Sequence, residues 1–147
     1  VPEQLRNRLG IAVAIKAFVA YRDLMESDRW QRLAGLGARP QRLLFASTGT
    51  KDPAASDVLY IEALAAPNTI NTMPEETLLA LAHHGAPRGV LPRDGGDSDE
   101  VLAEFVRAGV DMDALAARLQ DEGAQAFVAS WQHLLESLAL RQKATGR

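Results

Sequence analysis

Two short stretches built to the same plan constrain what this chain can fold into. Arg42-Leu43-Leu44-Phe45-Ala46-Ser47-Thr48-Gly49-Thr50-Lys51-Asp52-Pro53 passes from an apolar strand pattern into small polar residues and a proline, and Thr69-Ile70-Asn71-Thr72-Met73-Pro74 repeats that order in brief. A helical pattern follows each. Parallel strands need a crossover between them, so two strand-then-helix units in series predict a parallel sheet in an α/β fold. The polar run Ser47 to Lys51 falls at the C-terminal end of its strand, which is where α/β folds gather their ligands.

The rest of the chain is mostly helical in pattern. Leu5, Leu9, Ile11, Ile15, Phe18, Val19 and Leu24/Met25 recur at three- and four-residue spacing and predict a long amphipathic first helix. Ser27 or Asp28 caps a second, short helix through Leu36, closed by Gly37 and Pro40, and Trp30 packs it onto its neighbours. The strand Leu43 to Ser47 is apolar rather than alternating, the mark of a strand covered on both faces. Asp52 before Pro53 reads as an N-cap, which opens a helix from Pro53 to about Ala65 with Val58, Leu59, Ile61 and Leu64 inward. The second strand is Thr69 to Asn71. Thr72 with Glu75 has the capping-box spacing and starts a helix from Pro74 to His84, with Gly85 as its C-cap.

Residues 85–96, rich in glycine and proline, predict a surface loop. Asp97 with Glu100 repeats the capping box ahead of a helix bearing Val101, Leu102, Phe105 and Val106 on one side. After Gly109, Asp111 or Asp113 opens a further helix through Leu119. Gly123 separates it from a last helix whose Phe127, Trp131, Leu134 and Leu138 form a core stripe, and residues 144–147 form a polar tail.

Composition removes several function classes. A net charge of -3 provides no basic field for nucleic acid, and aromatics at 5% offer few stacking surfaces. No apolar run approaches the roughly 20 residues that span a bilayer. With no cysteine, thiolate chemistry and cysteine zinc sites are unavailable, which fits a reducing cytoplasm. His83 and His84 are adjacent, so on a helix they point about 100° apart and cannot share a metal as an i, i+4 pair does. The acidic run from Asp94 to Glu100 lacks the ligand order of a calcium loop. The expectation is a chain with no metal, no cofactor, and neither a membrane nor a nucleic-acid partner.

Two strands alone leave both outer edges of the sheet unpaired, with too little sheet for so many helices. The chain therefore reads as part of a larger sheet. The run Arg39 to Pro53, with Ser56-Asp57-Val58-Leu59-Tyr60 and Asn71-Thr72-Met73-Pro74-Glu75, resembles the C-terminal part of bacterial transaldolases, and Phe127, Ser130-Trp131 and Leu134-Leu135 are similar to that family's final helix. The resemblance implies a (β/α)8 TIM barrel, with residues 1–143 as an incomplete C-terminal portion, Leu43–Ser47 as strand seven and Thr69–Asn71 as strand eight. It implies a cytoplasmic transferase of the pentose phosphate pathway that moves a dihydroxyacetone unit between sugar phosphates through a lysine Schiff base. In the family that lysine lies on strand four, and its carboxylate helpers on strands one and three. None of Lys16, Lys51 and Lys143 matches it, so no catalytic residue falls in this chain and the first half of the barrel becomes its partner.

What the resemblance leaves to this chain is the substrate phosphate. Ser47 matches a family serine in that role, Lys51 stands where a cation completes the site, and Thr48 and the Gly49 N–H are further donors. Asn71 lines the substrate site. By its chemistry alone, the same Ser-Thr-Gly reads first as a strand-end turn. Phe45, Asp52 and Ala55 depart from the family's usual tryptophan, asparagine and tyrosine. A related aldolase, without transfer to an acceptor, and a non-catalytic assembly piece are the alternative readings.

Overall fold

The computed structural model describes residues 2–87 and 89–145. They form a mostly helical α/β chain with one two-stranded parallel sheet, in two compact units, residues 1–108 and 109–147.

In the first unit, α1 (Leu9–Glu26) buries Ala12, Ile15 and Phe18. The helix starts later than its apolar spacing suggests. Asn7, at φ 62°, adopts the left-handed conformation that asparagine tolerates, so Leu5 lies in a separate 3-10 turn, Glu3–Leu5, although it is buried as expected. Leu24, expected on the buried face, is exposed. Ser27 caps α2 (Asp28–Gly35), its hydroxyl accepting from the Trp30 N–H. Trp30 is half-buried and shares a cleft of about 320 Å³ with Phe18, Tyr21, Met25, Pro40 and Pro67.

β1 (Leu43–Phe45) and β2 (Thr69–Asn71) pair in register Leu43 to Thr69, Leu44 to Ile70 and Phe45 to Asn71. Phe45 buries into a core with Ile15, Phe18 and Leu64. The strand ends before Ser47 because Ser47 turns to φ 57°, outside the extended region. Only one face is covered. Leu44 and Ile70, side by side on the other, are 46% and 41% exposed, and among the described residues no third strand pairs with either edge.

The helix expected from Pro53 shrinks to α3 (Leu59–Ala63). Asp52 and Ser56 each bond the backbone two residues on, Asp52 to the Ala54 N–H and Ser56 to the Val58 N–H, and these local turns compete with a helical start. Val58, Ile61 and Leu64 are buried as expected, and Leu59 is half-buried. α4 (Glu75–His84) has Pro74 at its N-cap and no side-chain cap. Thr72 is not its capping residue. Its N–H donates to the Phe45 carbonyl at 2.9 Å and its own carbonyl accepts from the Thr48 N–H, so it extends the sheet. Gly85 follows α4 in extended rather than left-handed backbone. His84 Nε2 lies 2.9 Å from an Asp57 carboxylate oxygen.

The loop after α4 returns to the core through Leu91, whose N–H donates to the Ala65 carbonyl. Gly95, at φ 84°, lets the chain turn where an added Cβ would come within 2.9 Å of Val19 Cγ2. α5 (Ser98–Arg107) then packs on α1 with Val101 and Phe105 buried; Val106, expected beside them, is exposed. Asp97 makes no capping bond, because its carboxylate pairs with Arg8 at 2.6 Å, and Lys16 pairs with Asp99 at 2.7 Å.

The second unit is one helix, α6 (Met112–Thr145), with Asp111 as N-cap through the Ala114 N–H. Gly123 does not break it. A lone glycine among good helix formers costs about 1 kcal/mol, which a helix of 34 residues absorbs. Phe127, Trp131, Leu134 and Leu138 are exposed on this helix rather than forming a core. The expected tail is helical through Thr145, and residues 146–147 lie outside the described residues.

Candidate functional site

The parallel register brings the ends of β1 and β2 together, and the polar residues after each strand meet there. The Thr48 hydroxyl donates to the Asn71 side-chain oxygen at 2.5 Å and lies 3.2 Å from the Thr72 carbonyl. Thr48 is 5% exposed, so this hydroxyl ties the two strand ends together instead of facing outward. Asn71 is half-buried behind it.

Ser47, Gly49 and Lys51 form the outer surface of the same turn. Two adjoining depressions share them. One, of about 460 Å³, is completed by Thr50, Thr72, Met73, Pro74 and Glu76. The other, of about 640 Å³, is completed by Arg6, Asn7, Asp52, Pro53 and Tyr60. Ser47 and Lys51 are both exposed, Ser47 in the left-handed backbone that turns its side chain out of the strand direction. Gly49 allows the loop to lie on the start of α4. A Cβ there would sit 3.0 Å from Pro74 Cγ and 3.4 Å from the Thr77 hydroxyl. Thr50 keeps a buried hydroxyl oxygen with no hydrogen-bond partner.

The two depressions differ in charge. Glu76 gives the first an exposed carboxylate. In the second, Asp52 is matched by Arg6, whose Nε lies 2.9 Å from Asp52 Oδ2, and by Asn7 Nδ2 at 2.7 Å. The Asn7 amide first, then the Ala54 N–H and Arg6, hold the Asp52 carboxyl below its usual range. With Arg6 and Lys51 against Asp52, the second depression is the one with a net positive charge. The sequence singled out Ser47, Gly49 and Lys51; Arg6 and Asn7 were missed, since they precede that loop by some forty residues and only the fold brings them to it.

Glu26 is likewise held low, by Arg22 and then Arg93. Carboxylates whose folded-state pKa is depressed stabilise the fold fully above their unfolded values, 3.8 for Asp52 and 4.5 for Glu26, and lose that contribution as pH falls through the folded-state values. Urea midpoints are expected to drop as pH is lowered below about 4, less steeply in Asp52→Asn. An unchanged slope in that variant would remove Asp52 from the account.

Among the described residues no group of three or more histidines, aspartates or glutamates is placed to hold a metal ion, and no helix is long and apolar enough to cross a membrane. Lys16 is engaged with Asp99 on the α1–α5 side.

Against known proteins, residues 2–138 match the family described as Transaldolase/Fructose-6-phosphate aldolase. The chain is 44% identical over 137 residues to a transaldolase of Saccharopolyspora erythraea and 46% identical over 134 residues to one of Thiobacillus denitrificans. These alignments cover 92% and 91% of this chain and 37% of each relative. A transaldolase of Renibacterium salmoninarum is 42% identical over 146 residues, 97% of this chain and 39% of its own. The chain thus spans somewhat over a third of the length of these relatives. With a family match over nearly all of its residues, it belongs to the transaldolase/fructose-6-phosphate aldolase family.

Proposed function

We propose that this chain is the substrate-holding C-terminal part of a transaldolase, a transferase that moves a dihydroxyacetone unit between sugar phosphates. β1 and β2 take the places of strands seven and eight of a (β/α)8 barrel, and the remaining strands come from sequence outside these 147 residues. The observation that carries this reading is the convergence of Ser47, Gly49 and Lys51 at the C-terminal ends of two parallel strands, in a chain of this family. The open strand edges and the exposed Leu44–Ile70 face support a larger barrel.

A phosphate dianion needs hydroxyl and N–H donors and a cation, and a barrel commonly supplies them after strands seven and eight. Ser47 donates its hydroxyl, Gly49 its N–H and Lys51 its ammonium. Thr48 does not touch the ligand; it holds Asn71 at the mouth of β2, where Asn71 borders the sugar. With its phosphate fixed, the ketose carbonyl is presented to a lysine of the remaining barrel. That amine condenses with the carbonyl, losing water, and cleavage of the C3–C4 bond releases an aldose phosphate. The retained three-carbon carbanion attacks the aldehyde of a second aldose phosphate, and water frees the new ketose and the lysine. In the aldolase variant the carbanion takes a proton instead.

Borohydride reduction of the complete protein with fructose 6-phosphate is expected to leave a covalent adduct on a lysine outside these residues, located by peptide mass. No adduct would favour the non-catalytic assembly piece, and an adduct on Lys51 would overturn the division of labour described here.

A further inference from the structure

The loop from Ser47 to Pro53 is anchored at both ends. Its first end is joined to β2 by the Thr48 N–H and hydroxyl. Its far end is held by residues just ahead of α1. Arg6 grips the Asp52 carboxylate with two nitrogens, Nε 2.9 Å from Oδ2 and Nη2 3.2 Å from Oδ1. Asn7 Nδ2 adds a bond of 2.7 Å to Oδ2, and the Ala54 N–H one of 3.0 Å to Oδ1. Left-handed backbone at Asn7 turns the chain where these consecutive side chains meet one carboxylate.

A carboxylate accepts about four hydrogen bonds; Asp52 takes three, from Arg6 Nη2, Asn7 Nδ2 and the Ala54 N–H, with Arg6 Nε also at ion-pair distance, and its side chain is only 13% exposed. Forked pairing with arginine fixes direction as well as distance. Lys51 is the adjacent residue, and Arg6, Asn7, Ser47, Gly49, Lys51 and Asp52 wall a single depression. Without this anchor, an exposed loop carrying a lysine would have to order its backbone and its ammonium each time an anion bound.

We propose that Asp52, clamped by Arg6 and Asn7, is a positioning residue for anion binding. It holds the loop so that the Ser47 hydroxyl and the Lys51 ammonium reach one phosphate, and it cancels the Arg6 charge so that Lys51 is the cation engaged. This rests on the phosphate reading of Ser47 and Lys51.

Titration of the complete, nitrogen-15-labelled protein with inorganic phosphate, paired with amide hydrogen exchange, tests it. Asp52→Ala is expected to raise the phosphate Kd about tenfold and to speed exchange at Gly49–Lys51 about tenfold, leaving α1 unchanged. Asp52→Asn keeps one acceptor oxygen for the Arg6 Nη2 and the Ala54 N–H but leaves the Arg6 charge uncancelled, so loop exchange is expected to stay within about twofold of the unsubstituted chain while the phosphate Kd does not rise. A Kd or a loop exchange rate unmoved by Asp52→Ala would overturn the proposal. Absence of phosphate binding in the unsubstituted chain overturns the Ser47–Lys51 reading itself and the proposal with it, while the exchange rates still report whether the clamp holds the loop.

Discussion

Phe18→Ala is expected to destabilise the first unit by about 3–5 kcal/mol, a large part of the roughly 5–15 kcal/mol that holds a typical domain folded. Phe18 is 1% exposed and sits where α1 meets β1, packed with Ile15, Phe45 and Leu64. Removing its ring takes away the surface on which the short strand rests. A strand of three residues with one open face has little else to hold it. The urea midpoint should fall by about 2 M, and the strand-end site should lose its shape with it. Phe127→Ala is the control. That ring is 83% exposed on α6, so the change should stay within about 0.5 kcal/mol in the chain by itself. Equal effects from the two would contradict the core assignment.

On the proposed phosphate role of Lys51, Lys51→Met should raise the KM of the complete protein for fructose 6-phosphate roughly 10- to 100-fold. A hydrogen bond to a charged group contributes about 1.5–3 kcal/mol, and this one is made equally in ground and transition states, so kcat changes little. Unphosphorylated fructose is the discriminating substrate. Its KM should not move, because it presents no dianion to Lys51. If both substrates weakened together, Lys51 would be shaping the loop rather than holding phosphate. If neither did, it would leave the site.

Much of this fold was legible in local pattern. The Thr69–Asn71 strand, the Ser27 cap, the buried Val58–Ile61–Leu64 row and the Val101–Phe105 pair follow from periodicity and capping chemistry, which act over a few residues. Three of the misses share a physical cause. Asp52, Thr72 and Asp97 all carry the signature of a helix start, and none caps one with its side chain: the Asp52 carboxylate is taken by Arg6, Asn7 and the nearby Ala54 N–H, the Asp97 carboxylate by Arg8, and the Thr72 backbone is drawn into the sheet by Phe45. A capping pattern states what a side chain is able to bond, and tertiary neighbours decide what it does bond. Gly123 and the stripe from Phe127 to Leu138 misled in another way, since residue spacing marks a helix face without saying whether anything covers it.

Two parallel strand–helix units, the family, and the small polar residues that end the first strand can all be read from residue type and order. Those residues are local, and their chemistry is carried by residue type and order. Which of them face outward depends on the folded arrangement. It turned the Thr48 hydroxyl in toward Asn71, left Ser47 and Lys51 exposed, and brought Arg6 and Asn7 onto Asp52 across some forty-five residues of chain. Such a contact depends on where α1 begins relative to the strand ends, a distance in space that no spacing along the chain encodes.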